Sequence, residues 1–362
     1  MGFLRRLFGG RSEHEHHHSD EPVPGWDAIN AALEPIYGDV EPLHWGTVIR
    51  WRTGGPDPLD GTSAYRADGP PPHWHFVTYG LSELYRKESD DPERSGWGIE
   101  LTFRLRREAG EDGPPNWALH FLQGLARYVF ETGNVLEPGD HLDLNGPIAL
   151  EDSTEIRAVA FTLDPQLGRI DTPHGQIAFS QIVGLTMDEY AAVLDWDTGG
   201  LLALIGDRDP LLVTDLARSS FLTDPAIATA VRDRTAAEGS SMGQLNVDRL
   251  AWQADGERLV ITLGALAIDR LNRMIRGRLP YERSLLIQGP DSLVAMQPAE
   301  GFAWHDAGGG TVHADLPDAI GRKVIAELRP AAGTYDIDER LRFVVERTVL
   351  RDQSGKEIDT VG

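Results

Sequence analysis

Between Trp97 and Arg106 the chain reads WGIELTFRLR, and this stretch constrains the fold more than any other. Trp97, Ile99, Leu101, Phe103 and Leu105 alternate with Gly98, Glu100, Thr102, Arg104 and Arg106. Successive side chains of a strand point to opposite faces, so the five apolar residues make one face and the others the second. Burying five such groups, at roughly 1.5–3 kcal/mol each, makes this strand a principal part of a core. Downstream the period changes. Trp117, Phe121, Leu122, Leu125 and Val129 fall on one helical stripe, with Pro115 before it and Gly133 after it. Proline suits a helix start and glycine its end. A period-two segment followed by a helical one predicts a mixed α/β fold, with helices packed on a sheet.

The rest of the chain reads the same way. GWDAINAALEPIYG predicts a helix ended by Gly38, HWGTVIRWR a strand, and the Gly- and Pro-rich TGGPDPLDGTSAYRADGPPP a loop. PPHWHFVTYGLSELY contains another strand, and KESDDPERSG an acidic turn. EIRAVAFTL and GQIAFSQIVGL predict strands, and TMDEYAAVLDW a helix opened by the capping pair Thr186 and Glu189. LTDPAIATAVRDRTAAEG predicts a helix capped by Asp224. After the polar linker GSSMGQLNVDR comes a second patterned block. It holds strands over ERLVITLGAL, RSLLIQG, DSLVAMQ and RLRFVVERTVL and a helix over DLPDAIGRKVIAELRP. A chain of 362 residues exceeds what one core usually serves, and two α/β blocks fit it.

Composition narrows the function. The formal net charge is −23. The one strongly basic piece is MGFLRRLFGGR, with Arg5, Arg6 and Arg11 and no acid; the remainder sets 31 basic side chains against 57 acidic ones. Such a surface repels phosphate backbones and favours basic partners, which argues against nucleic acid. The absence of cysteine excludes disulfides, thiolate metal sites and cysteine nucleophiles. The apolar start is too short for a membrane span, so no stable insertion is expected, although residues 1–11 fit a membrane-associated adaptor as an alternative. The following tract, with His14, His16, His17 and His18, reads as a disordered lead-in of a kind that can scavenge Ni or Zn.

Catalytic and ligand-binding patterns are sparse. No phosphate-cradling loop, dinucleotide fingerprint or H-E-x-x-H is present. His73 and His75 share one strand face and could contribute to a metal site with His44 or His120, but the carboxylate spacing of a cupin-like site is missing. GSSMG, residues 239–243, matches G-x-S-x-G and offers Ser241 as the nucleophile of a serine hydrolase, with His305 and His313 downstream. That elbow needs a strand before it and a helix after it, whereas a helix is predicted before it here. No residue is assigned a catalytic role, and no metal or cofactor is expected.

Several motifs occur in a familiar order: HWHFVTYGLSELY, SGWGIELTFRL, LQGLARYVFETGN, GDHLDLNGPI, TLDPQLGRIDTPHGQIAFSQIVG and WDTGGLLALI. Together, from Gly25 to Leu216, they resemble the N-terminal domain of the Suppressor of fused family, and IRGRLPYERSL resembles its C-terminal domain. The resemblance implies a leader over 1–23, an N-terminal domain over 24–216, a helix and linker over 217–250 and a C-terminal domain over 251–362. It implies a non-enzymatic protein that clamps an extended peptide between two domains by strand addition, as the family does with a Gli-type transcription factor. It places peptide contacts at Tyr85, in GLSELY, at Asp91, before SGWG, and on the strand containing Leu259 and Ile261. It also makes His73 and His75 sheet residues rather than ligands. The animal members' long insertion before the second domain is short here, and 31 Arg against 3 Lys suggests a bacterial, high-GC source. Bacterial members of the family have been proposed as cytoplasmic immunity proteins, so a toxin or a regulatory protein is the expected partner.

Overall fold

The computed structural model describes residues 22–38, 40–48, 51, 54–108, 110–351 and 356–362. The expectations for the leader, both as an adaptor segment and as a metal-scavenging tract, lie outside the described residues.

The first part of the chain runs α1 (Pro24–Tyr37), β1 (Leu43–Gly46), β2 (Gly61–Ala67), β3 (His73–Tyr79), β4 (Arg94–Arg106), α2 (Asn116–Thr132), β5 (His141–Asp143), β6 (Ile156–Leu163), β7 (Arg169–Thr172) and β8 (Gly175–Thr186). Helices α3 (Met187–Asp195), α4 (Thr198–Gly206) and α5 (Pro225–Glu238) follow. These eight strands form one mixed sheet in the order β1-β2-β3-β4-β8-β6-β5, with β7 also paired to β8. The β4–β8 pair is parallel and the others are antiparallel.

Both faces of this sheet are covered. Ile99, Leu101, Phe103 and Leu105 of β4 pack with Leu122, Leu125 and Val129 of α2, as the alternation and the helical stripe predict. Pro115 and Gly133 flank α2, and Gly133 ends it in the left-handed region at φ 74°. On the opposite face, Val77, Tyr79 and Phe179 pack with Ile29 and Leu33 of α1. Ala158, Ala160, Val183 and Leu185 pack there with α3, α4 and α5. The capping pair forms, with the Thr186 amide donating to Glu189 Oε2 at 2.9 Å, and Asp224 accepts from the Ala226 amide at 2.8 Å.

The remainder comprises β9 (Gln244–Asn246), β10 (Leu250–Asp255), β11 (Arg258–Gly264), α6 (Ile268–Arg278), β12 (Leu285–Gln288), β13 (Leu293–Pro298), β14 (Ala303–Gly308), β15 (Thr311–Leu316), α7 (Asp318–Glu327), β16 (Gly333–Asp338), β17 (Leu341–Glu346), β18 (Thr348–Arg351) and β19 (Glu357–Val361). It forms a four-stranded sheet β10-β11-β17-β16, a five-stranded sheet β14-β15-β13-β12-β9 and a hairpin of β18 with β19. Both larger sheets and helices α6 and α7 feed one apolar core. The stripe Ile268, Leu271, Met274 and Ile275 of α6 is almost wholly buried in it. Contacts back to the first part run from α3 and the end of α5. The Ser240 amide donates to Gly277 O at 2.7 Å, and Arg273 pairs with Asp195 at 3.2 Å.

Two expectations need correction. The loop predicted across 53–72 contains β2, whose first five residues are all buried. With both faces covered, β2 has no reason to alternate, so its sequence carries no strand signature. Of the strand predicted over HWGTVIRWR, the described residues show the short edge strand β1, and residues 49, 50 and 52 lie outside the described residues.

Candidate protein-binding site

The site begins with an irregularity in β4. Arg94 pairs with Gln176 of β8, but the next pair is Ile99 with Ala178, so Ser95–Gly98 bulge out of the sheet. Gly96 permits this. It sits at φ 57°, and a Cβ there would stand 2.7 Å from Leu81 O. The bulge swings Trp97 against the segment after β3, where its amide donates to Leu81 O at 2.9 Å. The Trp97 ring meets Phe130 of α2 edge-on at 5.5 Å, and Phe130 meets Trp51 at 5.6 Å.

The facing wall is the segment from Gly80 to Ser89, and two charged side chains, one buried and one partly exposed, hold its shape. Glu100, fully enclosed on β4, accepts from the Gly80 and Ser82 amides at 2.9 Å and from Ser82 Oγ and Thr78 Oγ1 at 2.6 Å. Burial pushes its carboxyl up from the usual range, against the pull of these donors. Lys87 Nζ donates to Glu83 Oε2 at 2.9 Å, Ser89 Oγ at 2.8 Å, Arg94 O at 2.5 Å and His174 O at 2.9 Å. Glu83 Oε1 takes the Glu88 and Ser89 amides at 2.6 and 2.5 Å. Partial burial alone would raise Glu83, but the Ser89 amide and Lys87 hold it below its usual value. Between these walls lies a cleft of about 410 Å³, lined by Trp51, Leu84, Tyr85, Glu88, Trp97 and Phe130 among others. Asp60, Glu83 and Glu88 contribute carboxylates to its lining and Arg86 a guanidinium. A concave aromatic surface with an acidic margin suits a ligand with apolar side chains and positive charge.

The four residues singled out from the sequence do not converge on one site. Tyr85 is half-buried and lines this cleft. Asp91 is exposed, accepts from the Glu93 amide at 2.9 Å, and lines a separate recess of about 240 Å³ with Arg94, Glu137 and Arg169. Leu259 and Ile261 are fully buried on β11, which is paired antiparallel with β10 on one side and parallel with β17 on the other. A partner strand would reach β11 only by displacing β10, one of the two edge strands of that sheet, or β17.

His73 and His75 sit on the α1 face of the first sheet; His73 bonds Pro71 O at 2.8 Å, and His75 belongs to a network the sequence did not reveal. Arg104 grips Asp164 with both Nη atoms, at 2.5 and 3.1 Å, and also bonds Gln166 and Gln181. Thr102 Oγ1 donates to Asp164 Oδ2 at 2.9 Å. His75 Nε2 lies 3.2 Å from Asp164 Oδ2, and its Nδ1 lies 2.8 Å from Tyr37 OH. Burial, then Arg104, push the His75 imidazole down to about 4. A neutral ring facing a carboxylate carries its proton on Nε2, so Nδ1 accepts from Tyr37. His75 and Arg104 then hold Asp164 well below the carboxylate range against its burial. The Arg104, Asp164 and His75 side chains are all fully enclosed, so they staple β3, β4 and the turn after β6 rather than meet a substrate. Among the described residues no three His, Cys, Asp or Glu converge as a metal site. Ser241 follows α5 and precedes β9, the reverse of the strand–nucleophile–helix order, and His305 and His313 stack on each other at 5.1 Å. The hydrolase elbow is therefore not formed.

Comparison with known proteins fits this architecture. The family model described as Suppressor of fused protein matches residues 55–219. The Suppressor of fused homologs of Homo sapiens and Mus musculus are each 37% identical over 247 residues, covering 63% of this chain and 50% of the relative. A solved structure described as the Sufu–Fu complex is 33% identical with a TM-score of 0.55, covering 58% of this chain and 98% of that one. The chain belongs to the Suppressor of fused family. Drosophila Suppressor of Fused, 23% identical, matches with a TM-score of 0.76 over 90% of this chain and 97% of its own, which shows that the fold extends through the second part. The chain spans about half the length of the human and mouse Suppressor of fused homologs. No helix among the described residues is long and apolar enough to cross a membrane.

Proposed function

We propose that this chain is a non-enzymatic, protein-binding member of the Suppressor of fused family that holds a polypeptide segment at the Trp51–Tyr85–Trp97–Phe130 cleft. That cleft carries the reading: an aromatic concavity whose wall is pinned by Glu100 and Lys87 is pre-shaped for a ligand. A relative solved as the Sufu–Fu complex supports a protein as that ligand. Recognition by main-chain pairing is supported beside the cleft by β1. Among the described residues it is paired on one side only, it is exposed along its length, and it carries Leu43 and Trp45 outward.

The finer reading is a clamp of two domains, 24–216 and 251–362, joined by 217–250. Tyr85 supplies the aromatic contact and Asp91 a nearby charge for a basic partner group. Leu259 and Ile261 contribute from inside by holding β10 and β17 in register. In a bacterial cytoplasm such a protein acts as immunity against a toxin; a regulatory protein is the other class of partner. The test is a pull-down with wild type and Tyr85→Arg in parallel, with thermal midpoints measured on both. Loss of the partner at an unchanged midpoint supports the reading. Retention of the partner by the variant refutes it, and a collapsed midpoint makes Tyr85 structural.

A further inference from the structure

The cleft selects apolar side chains accompanied by positive charge, and one stretch of this chain has that composition. Residues 1–11 carry Phe3, Leu4, Leu7 and Phe8 interleaved with Arg5, Arg6 and Arg11 and contain no acid, in a chain with 57 acidic and 34 basic side chains. The cleft offers the complement. Trp51, Trp97 and Phe130 give an aromatic surface, and Asp60, Glu83 and Glu88 outnumber the cations of the wall, Arg86, bonded to Glu88 at 2.9 Å, and Lys87, bonded to Glu83 at 2.9 Å. Beyond the cleft the same loop carries Asp90, and Asp91 and Glu93 in the neighbouring recess with Arg94.

The attachment point matters as much as the chemistry. The first turn of α1 rests on the cleft wall itself. The Gly25 amide donates to Leu84 O at 3.0 Å, and a Cβ on Gly25 would stand 2.3 Å from Glu83 O. Trp26 stacks on Tyr79 at 4.1 Å, which fixes that turn. The preceding residues therefore join the fold beside Glu83 and Leu84, two of the residues that line the cleft. Phe8 lies 14 positions before Pro22. Fourteen residues reach at most about 50 Å, so Phe8 is within range of the cleft. Tethering at that range gives an effective concentration in the millimolar region, so even a weak contact is substantially occupied.

We infer that residues 1–11 dock in the Trp51–Tyr85–Trp97–Phe130 cleft of their own chain and compete there with any outside ligand. The inference uses the cleft of the proposed function but does not require its partner, and the following experiments contain none.

The full chain with a benzophenone amino acid in place of Phe8 is irradiated and its cross-links mapped by mass spectrometry. Cross-links within one molecule to residues 81–89, Trp97 or Phe130 are expected. Cross-links confined to other surfaces or to second molecules overturn the inference, as does recovery of residues 1–11 on anionic vesicles with the cleft unlabelled. In parallel, a fluorescent peptide of sequence MGFLRRLFGGR is titrated into the full chain and into a variant carrying Phe3→Ser, Arg5→Glu, Arg6→Glu and Phe8→Ser. The variant cannot fill its own cleft, so it should bind the peptide at least tenfold more tightly than wild type. Adding the surface change Glu88→Arg should reverse that gain at an unchanged thermal midpoint. Equal peptide affinity for wild type and the quadruple variant, or indifference to Glu88→Arg, overturns the inference. The pull-down with Tyr85→Arg reads the outside partner separately, so either reading can fail alone.

Discussion

Replacing Lys87 by Met removes the ammonium that ties the cleft wall together while keeping the length of the side chain. The ammonium has three protons and four acceptors within reach: Glu83, Ser89 and the carbonyls of Arg94 and His174. Hydrogen bonds to charged groups contribute roughly 1.5–3 kcal/mol each. The Lys87 side chain is 29% exposed, however, so water takes over some of these contacts. The Glu83 carboxylate, 8% exposed, keeps the Glu88 and Ser89 amides. The net loss should be about 2 kcal/mol, and it should appear as local opening of the loop before global unfolding. At about 1.4 kcal/mol per decade, amides between Gly80 and Glu93 should exchange about 30-fold faster in Lys87→Met. If the loss passes fully into global unfolding, the midpoint falls by about 4–8 °C for a cooperative unit of 150–250 residues. Hydrogen exchange with peptide-level mass spectrometry reads both, with Leu259–Gly264 as an internal reference. Unchanged exchange in residues 80–93 would refute the reasoning, and so would a loss of protection that is equal in β11.

Two further outcomes follow from the same geometry. His75 titrates near 4 when folded and near 6.5 when unfolded, so the unfolded chain binds more protons between those values and stability falls as pH drops from about 6.5 toward 4, by roughly 3 kcal/mol in all. Denaturant titrations across that range should show this slope in wild type and a flatter one in His75→Gln; equal slopes would remove His75 from the account. Gly96→Ala meets both a left-handed backbone and Leu81 O, whereas Gly133→Ala meets only the former, with open space around its Cβ. Thermal melts should therefore place Gly96→Ala lower, by about 2–3 kcal/mol against about 1 kcal/mol for Gly133→Ala, and equal costs would mean that the bulge adjusts freely.

What the sequence disclosed was local. Strand β4 and helix α2 were legible because each buries one face or stripe and marks it with periodic apolar residues. Helix α5 was legible from Asp224 and Pro225. β2 was not, because a strand covered on both sides loses the contrast on which periodicity depends. The same limit hid the cleft. Glu100 and Arg104 read as the outward face of β4, yet both are fully buried, Glu100 bonded to Thr78 and the Gly80–Ser82 segment and Arg104 to Asp164. Tyr85 was singled out through the motif around it, but Lys87 and Glu100, which shape its wall, had no signature, since they reach partners on β3, β4 and the turn before β8. β11 was recognised as a strand, yet its availability depended on β17, far along the chain.

That last pairing also sets a timetable for biosynthesis. β11 ends at Gly264 and its parallel neighbour begins at Leu341, so the nascent strand waits for 76 intervening residues before its second side is covered. At about 5–20 residues per second the interval is roughly 4–15 s. During it Leu259, Ile261 and Leu263 stand on an uncapped strand that can template pairing with another chain. Ribosomes that stall or terminate before residue 341 would release polypeptides with this sticky edge permanently exposed, and inclusion bodies should be enriched in such fragments.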